Sequence, residues 1–305
     1  MAAKGRTGSG RRRAPKARLG VIGGSGLYEM PDAKRLGEFV AKTPWGPPSD
    51  AIAIVEIAGE PVAFLPRHGR GHRILPTEVN ARANLCALKE AGVEQIVSFS
   101  AVGSLKEELR PLDFVVPRQL IDRTRHRPDT FFGEGIVGHV AFADPFCPRL
   151  AGLVAGELVA RKLPGARDGE TLVVMEGPTF STRAESHLYR SWGAGLINMS
   201  ALPEAKLARE AELCYALVCM VTDYDCWRAG ECDVDIQTVI QNLTANAERA
   251  RGLLRALVPA VLASPRACGC PDACRFAVIT APDRQPPKAR ARLARVLPRY
   301  FGGRA

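Results

Sequence analysis

The chain has 305 residues, 46% of them hydrophobic and 24% charged. This ordinary globular composition suits one or two domains and excludes disorder through most of the length. The net charge of +10 sits at the two ends: residues 1–18 and 284–305 each carry seven Lys/Arg and no acid, and the body between them holds 28 basic against 32 acidic residues, which speaks against the folded basic stripe of a nucleic-acid domain and for solvated tails.

Residues 1–18 read as a disordered basic tail, nearly free of large apolar side chains. No apolar core follows it, so a secretory signal is not expected. Order begins with an apolar strand from Leu19 that runs into the glycine turn Gly23-Gly24-Ser25-Gly26. The turn is not a dinucleotide fingerprint, because Glu29 stands where the third glycine belongs. Its backbone N–H groups and the Ser25 hydroxyl suit a small anion, the alternative being a plain tight turn. Apolar runs at 51–57 and 61–66 flank Ala58-Gly59-Glu60 and predict a hairpin. At the end of the second run comes Arg67-His68-Gly69-Arg70-Gly71-His72. A guanidinium fork with an adjacent imidazole suits phosphate, the alternative being a solvated basic turn.

Residues 79–91 have helical spacing and a C-terminal stop at Gly92. The strand from Gln95 runs into Ser98-Phe99-Ser100-Ala101-Val102-Gly103-Ser104, small residues that let a ligand approach the backbone. Residues 114–116 and 120–121 predict a strand pair or one bent strand, and 123–148 a long functional loop. Helices are expected at 150–162, 183–192, 202–212 and 234–262, and strands at 171–176, 195–199 and 214–222. Asn198-Met199-Ser200 and Asp223-Tyr224-Asp225-Cys226-Trp227 follow the last two strands. Two carboxylates two residues apart at a strand exit can split their pKa values, one held as acid and one ionised; an N-cap or surface turn is the alternative. After an irregular stretch at 264–274, residues 287–300 read as one basic helix. Strands alternating with helices predict an α/β domain, and no apolar run reaches the roughly 18 residues of a membrane-spanning helix.

Ten stretches occur in order over residues 19–262: GVIGGSGLY, TPWGPPSD, RHGRGH, VNARANLCALKEAG, AVGSL, DRTRHRP, DPFCP, EGPTFSTRAES, WGAGLINMS and TDYDCW. With these the chain resembles the methylthioadenosine phosphorylase group of the purine nucleoside phosphorylase family. The resemblance implies a single nucleoside phosphorylase domain over 19–263, with a central mixed, partly barrel-like β-sheet flanked by helices. It does not cover 264–305, a Cys-containing segment and basic helix that are expected to pack on the same domain. It implies phosphorolysis of 5′-methylthioadenosine by inorganic phosphate, with no metal and no organic cofactor. By resemblance, phosphate contacts map to Ser25, Arg67, His68, Ser100, Ala101 and Ser200. Met199 maps under the ribose, Asp223 and Asp225 to the purine-reading, catalytic pair, and Phe180 with Ser181 to the base. Val234 and Ile236 map to the wall near the 5′ methylthio group. His139 maps to a residue that reaches a neighbouring subunit's site, which implies a homo-oligomer, a trimer or hexamer. Thr179 departs from the group, where Arg is common.

Two alternatives stay open at this stage. One is phosphorolysis of methylthioinosine or of purine nucleosides broadly, which an ionised Asp225 disfavours by repelling a 6-oxo group. The other is a non-catalytic, RNA-binding relative that uses the basic tails. Nine cysteines, an odd count without a signal, do not form a secreted disulfide framework, so a cytoplasmic protein without membrane or specific nucleic-acid partners is expected. Cys268, Cys270 and Cys274 read as a redox or stabilising C-x-C, as free thiols, or as three ligands of an incomplete zinc set. Cys147 and Cys214 either pair with each other or stay reduced.

Overall fold

The computed structural model describes residues 15–23, 33–228 and 236–302. Nine strands are described: β1 Leu19–Gly23, β2 Lys34–Phe39, β3 Ile52–Ile57, β4 Glu60–Pro66, β5 Gln95–Ser104, β6 Phe114–Arg123, β7 Arg167–Met175, β8 Leu196–Asn198 and β9 Cys214–Asp223. The helices are α1 Ala81–Glu90, α2 Pro148–Ala160, α3 Arg183–Ser191, α4 Ala201–Glu210, α5 Ile236–Ala263, α6 Pro287–Leu293 and α7 Pro298–Phe301. The strands form one mixed sheet in the order β2-β3-β4-β1-β5-β8-β7-β6-β9, and β9 pairs back onto β5. That pairing closes β5, β8, β7, β6 and β9 into a five-stranded barrel, with β1 to β4 continuing from its β5 side.

The hairpin expected at 51–66 is present as antiparallel β3 and β4. Ala58 and Gly59 turn it with φ of 51° and 83°, the left-handed values that a tight hairpin demands. Asn80 caps α1 by accepting from the Ala83 N–H at 3.2 Å, and α3 starts on a reciprocal capping box between Thr182 and Glu185. β9 is buried over its first nine residues, as its unbroken apolar run predicts. β6 is one strand, with its register to β7 shifting on either side of Pro117, which has no N–H to give to a ladder.

Helices cover both faces. α2 and α5 pack over β9 in an apolar layer that contains Val154, Leu158, Leu254 and Val258. α1 and α4 pack together opposite, over Leu85, Leu88, Leu207 and Ala208.

Three expectations need correction. β2 was not foreseen: its KRLGEF sequence is largely exposed and lacks an apolar alternation. The basic C-terminal segment is two helices, because Leu297, preceding Pro298, leaves the helical region at φ −127° and ψ 59°. That segment is also not a solvated tail. Leu293, Val296, Leu297 and Phe301 are buried in the core beside α1, and Arg292, Arg295 and Arg299 pair with Glu134, Glu90 and Asp272. At the other end, described order begins before Leu19: Ala17 is buried and its N–H donates to the Ala91 carbonyl at 3.2 Å. The disorder expected for residues 1–14 lies outside the described residues. No described helix is long and apolar enough to cross a membrane.

Candidate active site

β1, β4, β5 and β9 run parallel, so their C-terminal ends share one edge of the sheet. Ligands of α/β sheets gather at such an edge. β8 runs antiparallel to β5, with Gly103 opposite Ile197. The same register carried forward sets Ser200 beside Ser100. Their hydroxyls are 2.8 Å apart, and the buried Asn198 amide donates to the Ser100 hydroxyl at 3.0 Å. Three of the weakest sequence signals, Ser100, Asn198 and Ser200, thus become one polar cluster, with Ala101 next along β5; the Ala101 carbonyl accepts from the Ser100 hydroxyl at 2.9 Å.

Arg67 leaves the end of β4, and its N–H donates to the Gly23 carbonyl at 3.0 Å. Its fork is already engaged. Nε donates to Glu204 Oε1 at 2.6 Å, Nη2 to Ser98 Oγ at 2.6 Å and to Glu204 Oε2 at 3.2 Å, and Nη1 to the Phe99 carbonyl at 3.1 Å. Only one N–H of Nη1 is left over. Tyr215 donates to the same Glu204 carboxylate at 2.9 Å. Sequence reading overlooked Glu204 because it stands 137 residues from Arg67, and nothing local marks the pair.

His68 Nδ1 lies 2.8 Å from the Ile74 carbonyl. Burial first, and the Arg67 charge second, push His68 down to about 4. The ring is therefore neutral near pH 7, Nδ1–H donates to Ile74, and Nε2 is left as an acceptor. His72 stacks on it at 4.5 Å between centroids. Arg67, His68, Met199, Ser200 and Glu204 line one small recess together with Arg127. Arg127 Nη1 donates to the carbonyls of Met199 at 2.6 Å and Leu202 at 2.7 Å. It fixes the β8–α4 turn that presents Met199 and Ser200. Sequence reading matched its DRTRHRP stretch but gave Arg127 no role.

The carboxylates stand at the exit of β9. Asp223 Oδ2 accepts from the Thr222 hydroxyl at 2.7 Å, and Oδ1 accepts from the Asp225 N–H at 2.8 Å. Burial pushes the Asp223 carboxyl above the ordinary range in spite of these two hydrogen bonds. Asp225 is also raised, by burial first and by the Asp223 charge, while the nearby Ser186 hydroxyl and Cys226 N–H oppose the shift. Asp225 Oδ2 is buried and has no hydrogen-bond partner among the described residues, and Asp225 sits at a left-handed φ of 50°. A strained backbone and a buried, unpaired carboxylate oxygen are features that functional sites tolerate. Two further residues hold the pair in place. A Cβ on Gly103 would meet Asp223 Oδ1 at 3.1 Å and Asp225 Cβ at 3.4 Å, so the glycine makes room for both. Trp227 Nε1 donates to the Ser104 carbonyl at 2.8 Å, with the Arg190 guanidinium 3.5 Å above its ring.

Phe180 is exposed on the loop after β7, while the Ser181 carbonyl accepts from the Cys226 thiol at 3.1 Å. That contact sets the loop against the Asp225 turn. His139 is elsewhere: it lines a groove with Phe132, Val137, Phe142 and Lys206 that shares no residue with the recess at Arg67. Ser25 and Val234 lie outside the described residues. Ile236 opens α5.

Residues 18–259 match the model of the phosphorylase superfamily. S-methyl-5′-thioadenosine phosphorylase of Gloeobacter violaceus is 51% identical over 94% of this chain and 97% of its own. The enzyme of that name from Koribacter versatilis is 51% identical over 94% and 98%. Among solved structures, a methylthioadenosine phosphorylase from an Antarctic soil metagenomic library superposes with a TM-score of 0.87 at 44% identity, over 93% of this chain and 99% of that one. The Schistosoma mansoni methylthioadenosine phosphorylase in complex with adenine gives 0.78 at 35% identity, over 82% and 93%. A strand edge with a half-buried carboxylate pair beside a hydroxyl cluster, a mixed sheet half closed into a barrel, and near-full-length identity agree: the chain belongs to the phosphorylase superfamily, in its methylthioadenosine phosphorylase group.

Proposed function

We propose that the protein cleaves 5′-methylthioadenosine with inorganic phosphate to adenine and 5-methylthioribose-1-phosphate. The observation that carries this reading is the carboxylate pair: Asp223 raised by burial, and beside it an Asp225 oxygen without a partner. Cleavage of the N-glycosidic bond puts negative charge on the leaving purine. A protonated Asp223 donates to N7 and neutralises it. Asp225 accepts from the exocyclic 6-amino group, which satisfies its open oxygen and favours adenine over a 6-oxo base. Phe180 and Ser181 flank the base, and Val234 and Ile236 form the wall near the methylthio group.

Phosphate binds below the ribose, against Ser25, His68, Ser100, the Ala101 backbone and Ser200, with the one free N–H of Arg67. The committed Arg67 fork makes this side a positioning frame, and Glu204 holds the frame rigid. A neutral His68 with an accepting Nε2 suits a phosphate that carries a proton. Met199 packs under the ribose. Phosphate stabilises the oxocarbenium-like sugar and then attacks it, so fixed proximity supplies much of the rate. The reaction uses phosphate as co-substrate and takes no metal or organic cofactor into its chemistry. The protein works in the cytoplasm, in purine and methionine salvage, as a homo-oligomer, a trimer or hexamer, in which His139 completes a neighbour's site. The test is to incubate it with methylthioadenosine, methylthioinosine, adenosine and inosine, with and without phosphate, and to measure free base. Phosphate-dependent adenine release, fastest from methylthioadenosine, is expected. No release with any of the four overturns the reading, and preferred hypoxanthine release overturns the role of Asp225.

A further inference from the structure

The fold gathers four cysteines that the sequence scatters. Cys147 is the N-cap residue of α2, Cys214 is the first residue of β9, and Cys268 and Cys270 follow α5. Their four Sγ atoms all lie within 4.8 Å of one another, and those of Cys214 and Cys268 are 3.5 Å apart. A tetrahedral ion with metal–sulfur bonds of about 2.3 Å needs sulfurs about 3.8 Å apart. The cluster therefore needs only a small contraction to enclose an ion.

Its surroundings suit negative charge. The backbone at two ligands is fixed: Cys147 N–H donates to the Tyr215 carbonyl at 2.8 Å, and Cys214 N–H to the Glu94 carbonyl at 3.1 Å. Cys147 stands at the N-cap of the 13-residue α2, the positive end of the helix dipole. Arg149 Nη2 stands 4.0 Å from Cys214 Sγ. Arg266, two residues before Cys268, is anchored to the Glu212 carbonyl at 3.0 Å. The Nε atoms of both arginines are buried without a partner among the described residues. A divalent ion with four thiolates carries a net charge of −2, and these two guanidinium groups offset it. Cys147, Cys214 and Cys270 are 1%, 0% and 3% exposed and Cys268 is half-buried, and all four positions around the ion are filled by protein sulfurs, as a structural rather than a catalytic ion requires.

We propose that Cys147, Cys214, Cys268 and Cys270 bind one zinc ion as a structural tetrathiolate site. Binding forms four sulfur–zinc bonds and releases the thiol protons to solvent, with no change of oxidation state. This departs from the sequence expectation of no metal. The ligand set also differs from the C-x-C-x3-C triplet, since Cys274 turns away and its thiol donates to the Glu210 carbonyl at 3.2 Å. The missing ligands come from residues 147 and 214, which sequence distance hides. The ion ties the start of α2 and the start of β9 to the segment after α5. It sits at the end of β9 opposite Asp223, away from the reacting groups.

The experiment uses the full chain, grown with zinc and purified under reducing conditions without chelator. Elemental analysis is expected to give about one zinc per chain. Exchange with cobalt should produce the intense visible absorption of tetrahedral cobalt thiolate, a readout independent of any variant. The double variant Cys268→Ser/Cys270→Ser should lose at least about tenfold in zinc content and keep the initial phosphorolysis rate at 25 °C within about twofold. Negligible zinc in the unaltered protein overturns the proposal. So does mass spectrometry showing these four cysteines as two disulfides, or a double variant that retains its zinc.

Discussion

Strand β9 has unlike chemistry at its two ends. Cys214 and Asp223 bound its 10 residues, a separation of about 30 Å at 3.3 Å per residue. At the Asp223 end, burial raises two carboxyls, one carboxylate oxygen lacks a partner, and the backbone enters the left-handed region. Each of these features costs stability. At the Cys214 end most polar groups are paired, the Nε atoms of Arg149 and Arg266 excepted. Four thiols face one another, Glu210 accepts from the Thr130 hydroxyl at 2.8 Å and the Phe131 N–H at 2.6 Å, and Tyr300 donates to Glu212 at 2.7 Å. One end of the strand is held ready for a ligand, and the other is tied down by its own neighbours. The contrast explains how a sheet edge keeps unsatisfied groups: the opposite edge supplies the stability that they withhold.

The largest effect is expected from Asp223→Asn. Without the acid, kcat/KM for methylthioadenosine should fall about 10²–10⁴-fold. Stability should move the other way. The raised carboxyl binds its proton more tightly in the folded state. Its contribution is therefore full below the unfolded pKa and is lost as pH rises through the folded one. A neutral amide escapes that loss and can still accept from the Asp225 N–H. Asp223→Asn should thus melt at or above the parent temperature at pH 7 in scanning calorimetry. A variant that is both inactive and clearly less stable would break the contrast between the two ends.

Glu204→Gln tests the frame that α4 sets against the sheet. Arg67, Ser98 and Tyr215 all converge on this carboxylate. Removing its charge leaves a buried guanidinium without its counter-ion, a loss of about 3–5 kcal/mol. The urea midpoint should fall accordingly, and the KM for phosphate should rise in whatever protein stays folded. An unchanged midpoint would show that Arg67 is solvated, with its fork open to phosphate.

These two residues mark where sequence was readable and where it was not. The 51–66 hairpin, the capped α1 and the buried β9 follow from local pattern. So do the strand-end positions of Arg67 and Asp223, since apolar runs set them; Ser100, expected at a strand end, lies inside β5, which continues to Ser104. What local pattern misses is pairing across sequence: Glu204 with Arg67, Ser200 with Ser100, and Cys147 and Cys214 with Cys268 and Cys270. β2 was missed for another reason. It is an edge strand that reaches the core only through Leu36 and Phe39, three residues apart, with a register shift between Arg35 and Gly37, so burial imposed no strict alternation on it.

Asp225→Asn sharpens the purine end. A charge-assisted hydrogen bond to the 6-amino group is exchanged for a neutral one, a loss of about 1–1.5 kcal/mol, and the charge that repels a 6-oxo group is removed as well. Preference for methylthioadenosine over methylthioinosine should drop by about 10–100-fold. The kcat/KM profile of the parent should show the titration of the pair, and the variant should keep a single carboxyl transition. A preference that does not move would take base selection away from Asp225.

The smallest effect belongs to the Cys214 end, at Glu210→Gln. Burial raises Glu210 to about 7 from 4.5, although its hydrogen bonds from Phe131 and Thr130 oppose the shift. The folded protein therefore holds this proton where the unfolded chain has lost it. The stability it confers is full below about pH 4.5 and disappears as pH climbs through about 7. A glutamine keeps the neutral shape at every pH. Parent and variant should be nearly equally stable at pH 4.5, and the variant should be ahead by on the order of 2 kcal/mol at pH 8. Glu210 shares a groove with His139, so the stability difference, not activity, is the readout. The difference between two urea titrations, one at each pH, isolates this group, since every other titration cancels. A raised carboxyl is thus no mark of chemistry by itself. At Asp225 the raised group keeps an unpaired oxygen beside a second carboxyl, and at Glu210 both hydrogen-bond donors are already in place.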